Sequence, residues 1–484
     1  MSTQAELTRR ERNLVLAVCC TSVFLGNLNN TVLNVALPAM QRDLHSPLSG
    51  LQWTTDAYLI VLAALLLLAG SAGDRLGRRR VFQTGLALFT LGSLLCGLAP
   101  GLGFLIACRI IQAVGASMLN PVAMSIITNT FAEPRERARA IGVWGAVMGV
   151  AMAVGPMVGG VLVQGLGWRS IFWLNLPIGL AAFACAARFV PESRAHRPRR
   201  MDPVGQILVT VLLGCLTYAI IEGPGTGWTA PRTLACALAA PAALLALALY
   251  ERRRTEPLVD LRVFRSAGFS GASAMAVCSF FTLGGFLFLN TLYLQNVRGL
   301  SALAAGLYLL PMAVMNIVTS PLSGRLTATR GPRLPLVLAG AATTAGGALL
   351  ATGGAFGTDA LLFTAYVLIG VGVGLANTPV TNAAMSGMPK EQAGVAAAIV
   401  STSRQFGQAL GVAVLGAVLT AGLHRSGTPF TQAVLPGYWI VTACGVAIVA
   451  LTLATTRHTA PAAETAAPAR QPAAPEVAGP RASG

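Results

Sequence analysis

Charge and aromatic rings are both scarce in this sequence. Only 11% of its 484 residues are charged against 54% hydrophobic, and aromatic residues make up 6%. A soluble catalytic domain needs a polar surface, and no stretch of the chain has enough polar residues to build one. The four histidines, His45, His196, His424 and His458, fall in loops or in the C-terminal tail, which argues against a histidine-based metal centre among the apolar segments. None of the nine cysteines forms a CxxC pair, so they read as reduced packing residues. There is no Walker-type Gly-rich loop ending in Lys-Ser/Thr, hence no built-in ATPase of that kind. Embedded histidines, paired carboxylates and a nucleophile with its base are also missing, which disfavours an intramembrane lipid enzyme. No cofactor is expected.

What the sequence has is apolar length. Fourteen stretches suit membrane-spanning helices: 14–38, 51–71, 81–99, 103–129, 141–164, 171–190, 203–221, 232–250, 269–295, 302–323, 334–354, 360–383, 395–422 and 437–455. A bilayer core about 30 Å thick takes roughly 20 apolar residues as helix, because backbone amides in hydrocarbon are satisfied only within the helix itself. The first run is too long for a signal-peptide core and is expected to remain in the mature chain. The fold class is therefore all-α, a membrane protein of 14 transmembrane helices.

The arginines orient it. Outer connections hold only Arg42, Arg169, Arg232, Arg298 and Arg425, and Arg109 and Arg404 lie within spans; the other Lys and Arg all fall on the inner connections and tails. That asymmetry places both termini in the cytoplasm, with the chain in a bacterial-type inner membrane. The formal net charge of +17 then reads as an orientation signal with contacts to anionic membrane lipids, not as a nucleic-acid surface. No obligate protein partner is predicted.

The chain also repeats. Spans one to six and nine to fourteen form two blocks of six, each with an arginine-bearing inner loop after its second helix: Gly70 to Phe82, and Ser323 to Arg333. The resulting division is a cytoplasmic segment 1–13, an N-terminal six-helix half 14–190, central loops with two inserted helices 191–268, a C-terminal six-helix half 269–455 and a disordered tail 456–484. Two such halves imply a transporter with its site near midplane, where the halves meet.

Four motifs carry a family resemblance. Gly70-Ser-Ala-Gly-Asp-Arg-Leu-Gly-Arg-Arg-Arg-Val-Phe82 resembles the loop signature of the major facilitator superfamily, with Ala72 in place of the usual Leu and Arg79 in place of Lys. The fourth-span pattern through Leu105, Arg109, Gln112, Gly115 and Ala116 is similar to that family's fourth-helix motif. Ala151, Gly155, Pro156, Gly159 and Gly160 resemble its fifth-helix antiporter motif, and Asn29 to Pro38 its fourteen-helix drug:proton antiporter group. The resemblance implies an exporter of amphipathic, drug-like or antibiotic compounds that exchanges them for protons by alternating access, with the proton gradient as its energy source. It implies a conformational role for the inner loop (Gly70, Asp74, Arg75, Gly77, Arg78), a bendable, tightly sealed fifth helix, and a coupling role for Arg109.

The residues themselves sharpen this. Asp74 can latch the inner side closed by pairing with a helix start or an arginine, while the neighbouring arginines also serve as topology signals. Gly155, Gly159 and Gly160 offer a flat face for close helix packing. Arg109 shares a helix face with Gln112, and an arginine in hydrocarbon needs a cavity or a partner. Arg404 in the thirteenth span invites the same reading, or lies nearer the inner interface.

The main departure is Asn29, where related antiporters carry aspartate. Asparagine does not titrate, so proton coupling falls to Asp56 or Glu222, of which Asp56 is preferred; each is otherwise an interfacial residue reaching water. Asn27, Asn30 and Asn34 form an amide stripe on the first span. Gln112, Asn290, Gln295, Asn377 and Arg404 are further candidates for the cavity wall, and Phe280, Phe281, Phe286, Phe288 and Tyr293 add aromatic surface facing lipid or drug. A transporter of a narrow metabolite is the alternative on the same fold; a non-transporting sensor is more remote.

Overall fold

The computed structural model describes residues 8–194, 202–254, 261–353, 357–385, 393–424 and 428–455. The tail 456–484, most of segment 1–13 and the arginines of 195–201 lie outside them. Every regular element among the described residues is helical. The spans are α1 (Arg9–Asp43), α2 (Leu48–Leu76), α3 (Arg78–Gly97), α4 (Leu102–Thr130), α5 (Pro134–Leu166), α6 (Ser170–Phe189), α7 (Pro203–Thr226), α8 (Pro231–Glu251), α9 (Ala267–Val297), α10 (Ala302–Arg330), α11 (Arg333–Ala351), α12 (Asp359–Met385), α13 (Ala396–Leu423) and α14 (Phe430–Thr455). The chain is thus a multi-pass membrane protein with fourteen spans.

Several helices outrun the apolar stretches that predict them, because polar ends cap and extend them beyond the hydrocarbon. Thr8 and Glu11 form a reciprocal capping box that starts α1 at Arg9 rather than residue 14. Pro134 at the first position of α5 and the Asp202 cap before Pro203 of α7 act similarly. Within spans, prolines set breaks. Pro177 interrupts α6 at Leu174, and Pro436 interrupts α14 at Val434, so the sixth helix of each block carries the same flaw.

Packing repeats with a shift of eight helices. The pairs α1·α5, α1·α4, α1·α6, α2·α4, α3·α4 and α3·α6 recur as α9·α13, α9·α12, α9·α14, α10·α12, α11·α12 and α11·α14. The two blocks meet through α2·α13, its counterpart α5·α10, and α1·α9, while the α7–α8 hairpin leans on α2 and α13.

An even number of crossings puts both described chain ends on one face of the bundle, here the terminal face; the other is the distal face. The apolar core differs between them. Toward the distal face one continuous cluster joins both blocks, running from Leu28 and Leu37 through Phe172 to Phe288, Leu309, Tyr366 and Leu419. Toward the terminal face the core is divided. One cluster holds Val15, Tyr58, Phe82 and Ile127 with only Ala409 from the second block, and the other holds Phe269, Met275, Leu336, Val380 and Val400 from the second block alone.

Close helix crossings depend on missing side chains. On α13, a Cβ at Gly411 would overlap the Phe281 carbonyl of α9 and approach the Gly285 nitrogen to 2.9 Å. Gly411→Val is therefore expected to force α9 and α13 apart at a cost of about 1–3 kcal/mol, read as a fall in the thermal midpoint of the detergent-solubilised protein. An unchanged midpoint would contradict this packing.

Candidate functional site

Arg109 sits on α4, seven residues from its distal start, and is fully buried. Its Nε donates to the Thr54 carbonyl of α2 (3.1 Å), its Nη1 to Gln112 Oε1 (2.6 Å), and its guanidinium lies 4.2 Å above the Tyr58 ring. Gln112 Nε2 in turn donates to Asn29 Oδ1 on α1 (3.2 Å) and Ser93 Oγ on α3 (2.7 Å). Asn175 Nδ2, at the break that Pro177 makes in α6, reaches the same two acceptors at 3.4 Å. One arginine thereby fastens five helices of the first block. Its charge is shared among a carbonyl, an amide and a π-face, with no carboxylate in ion-pair range among the described residues.

Asp56 belongs to a different place. On α2, Gln52 Nε2 donates across the block boundary to the Val412 and Ala413 carbonyls of α13 (3.2 and 2.9 Å). Asp56 lies one turn further along the same face, about 12 Å into the helix at 1.5 Å per residue. It is fully buried, and neither carboxylate oxygen has a hydrogen-bond partner among the described residues. The reading of Asp56 as an interfacial residue reaching water is thus corrected. An anion held there unpaired is strongly disfavoured by desolvation. Glu222 does reach the surface of its helix: it accepts from Trp53 Nε1 (2.8 Å) and anchors α7 to α2. The three proton-coupling candidates therefore occupy three separate sites.

Between the blocks, α1, α5, α9 and α10 line a narrow, partly open pocket of about 390 Å³ with open solvent included. Thr31, Met152, Pro156, Leu287, Met312 and Asn316 are among its lining. The Thr31 hydroxyl is committed to the Asn27 and Leu28 carbonyls, which leaves Asn316 as the cavity's available amide. Distal to it the fifth-helix glycines close the seam on two sides. A Cβ at Gly155 or Gly159 would run into Thr31 or Val32 of α1, and one at Gly160 would come within 2.5 Å of the Leu303 Cα of α10.

Several predicted wall residues turn away from this cavity. Gln112 is in the Arg109 network. Asn34 donates to the Asn30 carbonyl, Asn290 accepts from the Tyr366 hydroxyl (2.9 Å), and Gln295 donates to the Val35 carbonyl of α1 (2.9 Å). All four are buried, and amides in a dry interior bond a neighbouring helix, or for Asn34 their own, before they find a cavity. Phe281, Phe286, Phe288 and Tyr293 are likewise buried core, facing neither lipid nor cavity. Asn27 and Asn30 stay half-buried on α1.

Phe280 and Asn377 do line a pocket, a second and shallow one that they share with Arg404 and that is closed to water-sized molecules in this conformation. Arg404 Nη2 donates to the Asn377 carbonyl (2.9 Å) and Thr381 Oγ1 (2.7 Å) of α12, and its guanidinium lies 5.5 Å from the Phe280 ring centroid. It is half-buried and lies within the span.

At the terminal face, Asp74 accepts from Arg78 Nε and Nη2 (3.2 and 2.8 Å) in its own loop. The loop docks on the segment after α6: Arg78 N donates to the Ser193 carbonyl (2.9 Å) and Arg79 N to Glu192 Oε1 (3.2 Å). Gly77 makes this turn at φ +114, a conformation that side chains other than glycine resist. Gly70 rests at ordinary contact distance from Pro121, and Arg75 is exposed. Among the described residues, no bond from this loop crosses to the second block. Ser93, Asn175, Tyr58 and Gln52 are functional-site members that sequence reasoning passed over. The i+3 spacing of Arg109 and Gln112 signals that a polar node exists without naming partners from other helices.

The pattern that defines the Major Facilitator Superfamily matches residues 19–412. The multidrug resistance protein Stp of Mycobacterium tuberculosis is 38% identical over 88% of this chain and 79% of its own. The tetracenomycin C resistance and export protein of Streptomyces glaucescens is 37% identical over 84% of this chain and 76% of its own. The methylenomycin A resistance protein of Streptomyces coelicolor is 37% identical over 84% and 85%. Among solved structures, a bacterial homologue of the human lysosomal transporter Spinster, inward-facing and unoccupied, superposes with a TM-score of 0.63 at 17% identity, covering 92% of this chain and 96% of that one, a likeness of fold.

Both bonds that Asn29 receives go to its Oδ1, so Asn29→Asp keeps the acceptor and Asn29→Leu removes it. The aspartate variant is expected to match the parent in thermal midpoint, and the leucine variant to lose about 1–3 kcal/mol through the stranded amides of Gln112 and Asn175. Equal midpoints for the leucine variant and the parent would contradict the network.

Proposed function

The chain belongs to the major facilitator superfamily of membrane transporters, and on that footing we propose that it exports drug-like or antibiotic compounds across the cytoplasmic membrane in exchange for protons. The observation that carries this reading is the uneven core. One apolar cluster ties both blocks together distally, and separate clusters hold them at the terminal face, as suits a molecule whose halves rock about a midplane cavity. The arginine-rich terminal face is cytoplasmic by the positive-inside rule, so this conformation is loaded from the cytoplasm.

Asp56 is the proton carrier in this scheme. It stands at the α2–α13 boundary, where its ionised form gains water only when the boundary opens, so binding and release of a proton bias which arrangement is populated. One charge crossing 100 mV releases about 2.3 kcal/mol, enough to sustain a concentration gradient of nearly fiftyfold without ATP. Arg109 keeps the first block rigid while the seam moves. The largely apolar wall around Met152, Leu287 and Met312, with the Asn316 amide, suits lipophilic molecules better than sugars, which need many polar partners. The names of the relatives point the same way, toward tetracenomycin C and methylenomycin A as first test compounds.

An efflux-deficient bacterium expressing the chain is expected to accumulate less of at least one such compound, and an uncoupler is expected to abolish the difference. Asp56→Asn is expected to reduce proton-driven export at least tenfold with membrane insertion intact. Full export by that variant would remove Asp56 from the mechanism, and accumulation equal to the empty host for every compound would overturn the export reading.

A further inference from the structure

We infer that Arg404 is the anion-binding residue of the transport site, and that the preferred substrate is an amphipathic acid whose carboxylate or phenolate meets this guanidinium while its apolar body extends into the cavity beside Met152 and Met312. The inference rests on the export reading and adds the substrate's charge to it.

Ion pairing is the first observation. The six ion pairs of the described residues all lie at helix ends or in loops: Arg12–Glu136, Arg78–Asp74, Arg80–Glu192, Arg169–Asp43, Arg254–Asp202 and Arg298–Asp359. Arg404 has none. Its Nη2 is used by a carbonyl and a hydroxyl, its Nε is buried without a partner among the described residues, and the guanidinium borders a shallow pocket lined by Ser279, Phe280 and Asn377 that is closed to water-sized molecules in this conformation. An arginine so placed keeps donors in reserve and lacks a counter-charge, and a planar fork of donors matches a carboxylate. Arg109 cannot compete for the role, because it is fully buried inside the first block.

The second observation is alignment. Phe280 borders the Arg404 cavity, and Leu283 and Leu287 on the same helix border the larger apolar one. These positions follow one another at helical spacing, so the two spaces lie along α9 within about 10 Å. Arg404 is at the terminal side and the apolar pocket at the distal side, an order that suits a polar head followed by an apolar body. Neither cavity is lined by a carboxylate, so a lipophilic cation would meet the charge of Arg404 unscreened by an acid of the protein.

Three fluorescent probes with one apolar body separate charge from hydrophobicity: 1-pyrenebutyrate, its methyl ester and a pyrenebutyl-trimethylammonium salt. Each is titrated at pH 7.5 against the full chain in phosphatidylcholine nanodiscs, with empty nanodiscs as the blank for lipid partitioning. The acid is expected to bind roughly 10- to 100-fold more tightly than the ester, the range of a charge-assisted hydrogen bond, with the cation weakest. Arg404→Gln is expected to erase the acid's advantage while leaving ester affinity within about twofold, and Arg404→Lys to retain part of it. Equal affinity of acid and ester for the parent protein, or an acid preference that survives Arg404→Gln, would overturn the inference. If the glutamine variant fails to insert, the parent series and the lysine variant still decide. Export of the ester by cells alongside equal binding of acid and ester would sink this inference alone, whereas absence of export for any compound would sink the reading beneath it.

Discussion

A polar side chain in hydrocarbon has no water to turn to; most hydroxyls of this bundle bond a carbonyl one turn back in their own helix, and a few amides and hydroxyls reach a backbone carbonyl on another helix instead. Gln52 reaches Val412 and Ala413, Gln206 reaches Ala64, Gln295 reaches Val35 and Ser323 reaches Leu375. Each is worth little by itself, roughly 0.6 kcal/mol on average within a membrane. Their placement matters more than their strength. Gln52 and Gln295 cross between the blocks, and both lie toward the distal face, where the apolar core is also continuous. The same constraint that satisfies the amides therefore determines which end of the seam is held shut.

Against that background two charged groups within the spans stand out by what they lack, Asp56 at the block boundary and Arg404 among α9, α12 and α13 of the second block. Asp56 has no donor for either oxygen, and Arg404 has no carboxylate. Arg109 shows what a structural charge looks like in this chain: a carbonyl, an amide and a ring face share its charge, and Gln112 links it on to three more helices, with only its Nη2 left without a hydrogen-bond partner among the described residues. A boundary group without such an entourage is tolerated only if it is neutral, or if a ligand or water completes it when the boundary opens. In the proposed exchange, the acid of the first block and the arginine of the second supply the two unmet demands, for a proton and for a substrate.

The fourteen spans are legible in the sequence because hydrocarbon imposes one length and one composition on every crossing, and the repeat because the same packing recurs eight helices later. The fifth-helix glycines are legible for a similar reason, since a Cβ at Gly155 or Gly160 has nowhere to go. The wall of the cavity is not. Asn290 and Gln295 look alike in sequence to Asn30 and Asn316, yet the first two are consumed by helix-to-helix bonds that depend on rotation and on partners far away in the chain, while Asn34 and Asn27 bond carbonyls one turn back in α1. Gln295 reaches its carbonyl from a widened π-helical turn at the end of α9, over Tyr293–Val297, and Asn175 reaches Asn29 and Ser93 from the break made by Pro177. Such local distortions redirect a side chain by more than periodicity can anticipate.

The central claim is that protonation at the α2–α13 boundary governs which end of the seam is closed. Its most direct test is the distance between spin labels at Gly165 on α5 and Leu307 on α10, both toward the distal face, measured by double electron–electron resonance in a cysteine-free background at acidic and alkaline pH, with Asp56 or its asparagine substitute. The account predicts a short distance for the parent at low pH, a second, longer population as pH rises, and only the short distance at any pH for Asp56→Asn. A parent distribution that ignores pH, or an asparagine variant that still responds to it, would contradict the account.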